Sequence, residues 1–137
     1  MSKPYTGGCA CRAIRYEISA EPVAMVDCQC SQCQRQTGAG HGSYLAFSGA
    51  NQKIEGAARI WEAVGDGGTV KNYAFCSNCG SPLYVAFPAN PDVIAVHAGS
   101  LDEPGRYKPQ FVTWHATANA WDHLDPALPK FDRMPPT

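Results

Sequence analysis

Seven cysteines in 137 residues, gathered in three tight groups, constrain this chain more than any other feature. Cys9 and Cys11 form C-x-C. Cys28, Cys30 and Cys33 form C-x-C-x-x-C. Cys76 and Cys79 form C-x-x-C, followed by Gly80. Four thiolates close a tetrahedral zinc site, whereas three leave one coordination position for a ligand. Seven therefore divides into one sealed metal and one metal that can still bind something. An odd count also fits a complete disulfide framework poorly. The opening MSKPYTGG carries no apolar leader and no run is long enough to cross a bilayer, so the expected location is the cytoplasm, with no membrane partner. There, clustered cysteines mean metal more often than disulfide. Formal net charge is −1, from 11 Lys+Arg against 12 Asp+Glu, and no basic stripe exists. A nucleic-acid partner is thereby disfavoured, although C-x-x-C pairs do occur in zinc ribbons that bind nucleic acid.

The length fits a single domain, residues 1–137, and Gly and Pro break the chain into short pieces. Those pieces read as strands at 13–18, 23–28, 43–47, 59–64, 69–75, 83–87, 93–98 and 111–115. Gly65-Asp66-Gly67-Gly68 is a hairpin signal between the fourth and fifth, because Gly and Asp accept positive φ. Helix is confined to a turn or two after Ser31 and another over 117–121. The segment from Asp125 onward is expected to be extended and docked on the surface. The aromatics Trp61, Trp114, Trp121, Phe75, Tyr84 and Phe87 are expected in the core. The fold class is mainly β, a small core stapled by metal.

Residues two apart in an extended strand point to one face, so Cys9 and Cys11 can present both sulfurs together. Cys76-Ser77-Asn78-Cys79-Gly80 has the spacing of a zinc knuckle, with Gly80 free to take positive φ. Together these four make a sealed site from distant segments. The six residues Cys28 to Cys33 combine both geometries and contain no fourth cysteine. Spacing leaves three other arrangements open. Cys76 and Cys79 suit a redox dithiol. The three-cysteine group suits a closed site completed by a distant histidine. Cys28 and Cys30 suit pairing with Cys76 and Cys79 as well.

The ordered set of motifs closely resembles the glutathione-dependent formaldehyde-activating enzyme (GFA) family. The resemblance rests on Gly7-Gly8-Cys9-Ala10-Cys11, Ala13-Ile14-Arg15-Tyr16, and Cys28, Cys30, Cys33-Gln34-Arg35 with Thr37-Gly38. It continues through Phe75-Cys76, Cys79-Gly80-Ser81 and Leu83-Tyr84, and through Ala98-Gly99-Ser100-Leu101-Asp102. It ends with Trp121, Leu128-Pro129 and Phe131. It implies a complex β coil of stacked antiparallel sheets. It implies two Zn²⁺ per chain, one structural on Cys9, Cys11, Cys76 and Cys79, the other catalytic on Cys28, Cys30 and Cys33. The implied activity is a carbon–sulfur lyase, an S-hydroxymethylglutathione synthase, with glutathione and formaldehyde as partners. Two positions depart from the pattern: Arg12 stands where similar members often have Gly, and Gln29 where they often have His.

An anionic thiol needs a cation near the metal, and Arg35, two residues past Cys33, is the candidate closest in sequence. Arg35, Gly38 and His41 are the expected contacts to the thiol ligand, with His41 a proton shuttle or fourth metal ligand. Lys71 and Arg15 are weaker candidates that read as solvated. His97 reads as a satisfied strand histidine, His115 and His123 have no visible partner, and Asp102 reads as a turn cap. Three functions fit: a zinc-dependent lyase acting on adducts of glutathione or a similar thiol with a small aldehyde, a non-catalytic thiol-binding zinc protein, and a structural zinc module. The exposed sulfurs of the second site are open to oxidation, so that site is the one expected to be found empty.

Overall fold

The computed structural model of the chain describes residues 3–49 and 51–135. Ten strands follow in order: β1 (Tyr5–Gly8), β2 (Arg15–Ser19), β3 (Ala24–Cys28), β4 (Gly42–Ser48), β5 (Asn51–Glu55), β6 (Arg59–Val64), β7 (Val70–Phe75), β8 (Pro82–Ala86), β9 (Val93–His97) and β10 (Phe111–Thr113). One helix, α1 (Ser31–Thr37), lies between β3 and β4. Two sheets form. The small one has the order β1-β2-β5, the large one β10-β3-β4-β9-β8-β7-β6. Every pairing is antiparallel except β10 with β3.

Alternation explains how the sheets meet. In β2, Tyr16 and Ile18 are buried while Arg15 and Glu17 face outward. Tyr5, Tyr16 and Ile18 of the small sheet pack with Leu45, Phe47, Leu83, Ile94 and Val96 of the large one. Each such side chain contributes about 1.5–3 kcal/mol by leaving water. The opposite face of the large sheet carries a second apolar group: Tyr44, Ala63, Tyr73, Val85 and Ala95, with Cys33 among them.

All eight expected strands are present, most shifted by a residue or two at their ends. The hairpin turn is also there: Gly65 N donates to Thr69 O at 2.8 Å, and Gly68 has φ 84. The extended tail runs beside β10, where Phe131 N donates to Val112 O at 2.9 Å. Two strands escaped the sequence. β1 ends in Gly7-Gly8, poor strand formers, and every residue of β5 is exposed, so no apolar alternation marks it. The second helical turn lies at His115–Thr117 as 3₁₀ rather than over 117–121. The aromatic core is a correction. Trp61 and Trp121 are 49% and 64% exposed and Trp114 and Phe75 are half-buried, whereas half-buried Tyr84 and Phe87 do pack against the core. The buried aromatics are instead Tyr5, Tyr16, Tyr44, Phe47 and Tyr73. Trp61 lies on the edge strand β6, which has a neighbour on one side alone and so loses packing.

Gly8 leads straight into Cys9. A Cβ there would sit 2.2 Å from the Ile14 carbonyl oxygen, which is backbone and cannot yield. Gly8→Ala is expected to lower unfolding stability by about 2 kcal/mol, read as a lower urea midpoint. An unchanged midpoint would show that the β1–β2 turn is not the tight fit described.

Candidate metal centres and an adjoining cavity

Tight turns bring the first four sulfurs together. Cys9 and Cys11 lie just past the end of β1, in a turn rather than the expected strand: Arg12 N donates to Cys9 O at 3.1 Å and closes it. Ile14 N donates to Cys9 Sγ at 3.3 Å. Across the fold, Gly80 N donates to Cys76 O at 2.8 Å with Gly80 at φ 75, and Asn78 N donates to Cys76 Sγ at 3.4 Å. This is the knuckle its spacing predicts. The four sulfurs lie within 4.8 Å of one another. Cys9 to Cys11 is 3.6 Å and Cys11 to Cys76 is 3.7 Å. The edge of a tetrahedron with Zn–S bonds of 2.3 Å is about 3.8 Å, so these two spacings suit zinc. Ser81 Oγ, 3.2 Å from Cys79 Sγ, holds that thiol down to about 5, which favours the ligating thiolate.

The second group forms where β3 runs into α1. Cys28 ends the strand and Cys30 caps the helix, its Sγ accepting from Cys33 N at 3.2 Å. Cys28, Cys30 and Cys33 also lie within 4.8 Å of one another, and among the described residues no histidine or carboxylate joins them. The closed site with a distant histidine and the mixed pairing with Cys76 and Cys79 are therefore not what the fold builds. Three crowded sulfurs do not ionise alike. Cys30 is held low by its bonds to Cys28 and Cys33, while those same neighbours and burial push Cys33 up. Tyr44 Oη donates to Cys33 Sγ at 3.4 Å, and Tyr73 Oη donates to Gln32 Oε1 at 2.8 Å. Burial and the nearby sulfurs raise both phenols, so they remain donors. Lys71, on the same face of β7 as Tyr73, adds positive charge that favours the Cys30 thiolate. Its spacing to Tyr73 was the available signal for this, but it read as a solvated strand lysine.

A cavity of about 590 Å³ lies by the four-sulfur cluster, lined among others by Cys9, Arg12, Arg15, His41, His97 and Asp102. None of Cys28, Cys30 and Cys33 lines it. Register explains why. Val26 pairs with Tyr44 and Asp27 with Ser43, so Cys28 shares the Tyr44 face while cavity-lining Ser43 lies on the other.

The individual candidates divide. Arg35 is exposed on α1 about 200° around the helix from Cys33, and Gly38 is the exposed left-handed cap at φ 72. Neither lines the cavity, whereas His41 does. His41 Nδ1 is 3.0 Å from both Asp122 oxygens. Asp122 Oδ2 also accepts from Gln29 Nε2 at 3.0 Å, and Gln29 Oε1 lies 3.0 Å from His115 Nδ1. Gln29, 1% exposed between Cys28 and Cys30, is thus tied to both histidines. No sequence spacing reveals that chain, since its members lie up to 93 residues apart. His123 is exposed.

Asp102 is not a turn cap. It accepts from both Nη atoms of Arg15 and from Thr6 Oγ1, and these bonds hold its carboxyl below the usual range. Arg12 adopts left-handed backbone at φ 68, which costs a non-glycine residue on the order of 1 kcal/mol. His97 is on β9 as expected, 6% exposed and paired with Tyr44 across the strands, so its ring lies on the Tyr44 face of the sheet. Its ring stacks on Tyr44 at a centroid distance of 4.8 Å.

Two outcomes follow from these contacts. Burial pushes His97 down to about 4, so the unfolded chain takes up its proton first as pH falls. Stability from keeping His97 neutral is full above about pH 6.5 and drains away towards pH 4. Between pH 7 and pH 5, wild type should lose about 2 kcal/mol more than His97→Asn in denaturant titrations. Parallel pH curves would contradict the burial argument. Tyr44→Phe removes the bond to Cys33 Sγ and should weaken zinc at the three-sulfur cluster about 10-fold in chelator competition. Equal affinity would deny Tyr44 that part.

Comparison with known proteins bears on the family and the fold. The family model described as glutathione-dependent formaldehyde-activating enzyme matches residues 4–117. A Halomonas elongata protein named "Putative glutathione-dependent formaldehyde-activating enzyme" is 34% identical over 102 residues, 70% of this chain and 64% of that protein. The chain thus spans less than two thirds of that relative's length. A crystal structure of a Rhodobacter sphaeroides protein shares the fold at a TM-score of 0.54 and 21% identity, over 71% of this chain and 87% of that one. The chain belongs to the glutathione-dependent formaldehyde-activating enzyme family.

Proposed function

We propose that this chain is a zinc-dependent carbon–sulfur lyase that joins and separates a glutathione-like thiol and formaldehyde or another small aldehyde. Family membership supports the reaction class. The observation that carries the reading is the contrast between clusters: four sulfurs make a complete tetrahedral set, whereas three converge without a fourth donor among the described residues. Zinc held by Cys28, Cys30 and Cys33 would supply an open position that binds a thiol and lowers its pKa. In the forward reaction the thiol S–H bond breaks, sulfur bonds to the aldehyde carbon, and the carbonyl oxygen gains the proton as a hydroxyl. The protein's own residues prepare the place. Tyr44 donates to Cys33 Sγ, Tyr73 fixes Gln32, and Lys71 offsets part of the thiolate charge.

A second reading has one argument of its own. Three thiolates on Zn²⁺ leave net charge −1, a weak Lewis acid that retains a thiol more readily than it activates a carbonyl. In that case the protein binds thiols without turnover.

Exchange NMR on formaldehyde and glutathione separates the readings. The lyase reading expects wild type to accelerate exchange over the spontaneous rate and Cys30→Ser to lose at least about 100-fold. Serine is a favoured N-cap, so that variant retains α1 and its loss reports chemistry rather than unfolding. Saturable glutathione binding without acceleration would support the binding protein. Neither binding nor acceleration would leave a structural zinc module.

A further inference from the structure

We propose that Gln29 is the positioning residue of the three-sulfur cluster: its buried carboxamide, clasped between Asp122 and His115, sets the loop that carries Cys28 and Cys30. The proposal deepens the reading of that cluster as a zinc site and rests on it. Cys28 ends β3 and Cys30 caps α1, so Gln29 is the one residue between strand end and helix cap. The two sulfurs on either side take their places from its peptide groups. Thr113 with Cys28 is the last pair of β10 and β3, and Gly42 with Cys28 the last of β4 and β3, so no ladder of paired residues extends over Gln29. A junction of this kind needs other partners for its polar groups.

The segment 113–122 supplies them. Gln29 N donates to Thr113 O at 2.9 Å, and Gln29 O accepts from Thr117 Oγ1 and from Gln34 Nε2, each at 2.9 Å. Gln34 also donates to Thr117 O at 3.0 Å and accepts from Asn119 Nδ2 at 2.8 Å. The side chain is held as firmly. Gln29 Nε2 donates to Asp122 Oδ2 at 3.0 Å, and Gln29 Oε1 lies 3.0 Å from His115 Nδ1. A carboxylate only accepts, so the amide N–H faces Asp122, the amide oxygen faces His115, and His115 Nδ1 carries the proton. Each bond runs in one direction, which selects one rotamer of Gln29 and one conformation of the loop. An apolar side chain could fill this space, where Gln29 is 1% exposed, but would carry no such direction.

This bracing belongs to one cluster. Its members lie on the loop 28–34 and the segment 113–122, whereas the four sulfurs are set by bonds within 9–14 and 76–81. The four-sulfur cluster is therefore an internal control for any change at Gln29. Asp122 is an independent handle on the same brace. It lies 93 residues from Gln29 in sequence, its side chain is 10% exposed, and among the described residues it bonds to Gln29 and His41 but to no sulfur. The rival account is that Gln29 merely pins the segment 113–122 to the sheet, as any well-packed side chain of its size would.

Chelator competition on the zinc-loaded full chain separates the two accounts, with Cys30→Ser marking which release step belongs to the three-sulfur cluster. Gln29→Leu keeps the bulk and removes both side-chain bonds. It should weaken zinc at the three-sulfur cluster roughly 10–100-fold and leave the four-sulfur step unchanged. Asp122→Ala, which alters nothing on the loop itself, should weaken the same step. Gln29→His, whose neutral ring offers one donor and one acceptor, should recover most of the loss. Unchanged zinc in Gln29→Leu, or Gln29→His no better than Gln29→Leu, overturns the proposal, makes Gln29 a packing residue and leaves the lyase reading intact. Where Gln29→Leu weakens both clusters, Asp122→Ala decides: selective weakening supports the proposal and equal weakening overturns it. A wild type that shows one release step only overturns it together with the zinc reading. Gln29-dependent zinc in a protein without turnover sinks the lyase reading and leaves the positioning role standing.

Discussion

Four sulfurs at near-tetrahedral spacing bring two distant segments of this protein to one point. Cys9 and Cys11 leave the end of the small sheet, Cys76 and Cys79 form the turn between two strands of the large one, and nothing covalent joins those segments. Thiolates packed at 3.6–3.7 Å repel unless a cation lies among them. A bound zinc turns that repulsion into attraction, on the order of 10 kcal/mol or more for structural sites of this kind. That gain would fix the packing of Tyr5, Tyr16 and Ile18 on Phe47, Leu45 and Val96. The turn that aligns Cys9 with Cys11 holds Arg12 in left-handed backbone at the rim of a cavity.

The large sheet then separates two tasks by alternation along its strands. Tyr44 faces one side with Cys28 and Cys33, and Ser43 faces the other with Asp27 and the cavity. Gln29 links the sides. It lies between Cys28 and Cys30, accepts Gln34 and Thr117 on its carbonyl, and reaches through Asp122 to His41. A buried side chain thereby joins the three-sulfur loop to the cavity wall by hydrogen bonds. His41 and His97 differ accordingly: one is braced by a carboxylate, the other is buried and stacked on Tyr44.

Local signals in the chain were read well and long-range ones were not. Knuckle spacing, the Gly65–Gly68 turn, the helix after Ser31 and the alternating strands all depend on neighbours within a few residues. The cysteine groups were legible because metal ligation restricts both residue type and spacing. By contrast, β5 is exposed throughout and carries no apolar rhythm. Trp61 and Trp121 looked like core because side-chain size was the available clue, while edge position decides burial. The Asp122–Gln29–His115 chain, the Asp102 grip on Arg15 and the approach of Lys71 to Cys30 join residues far apart in sequence, and single side chains of common types leave no pattern. Arg35 was favoured for nearness in sequence, but two residues along a helix turn it about 200° from Cys33.

Sulfur count around zinc tests the central claim most directly. X-ray absorption at the zinc edge of protein loaded with two equivalents should give an average of 3.5 sulfur neighbours per zinc at about 2.3 Å, one cluster supplying four and the other three, with a light-atom neighbour making up the rest. An average of four, or zinc retained at one equivalent only, would mean that no open three-sulfur centre exists.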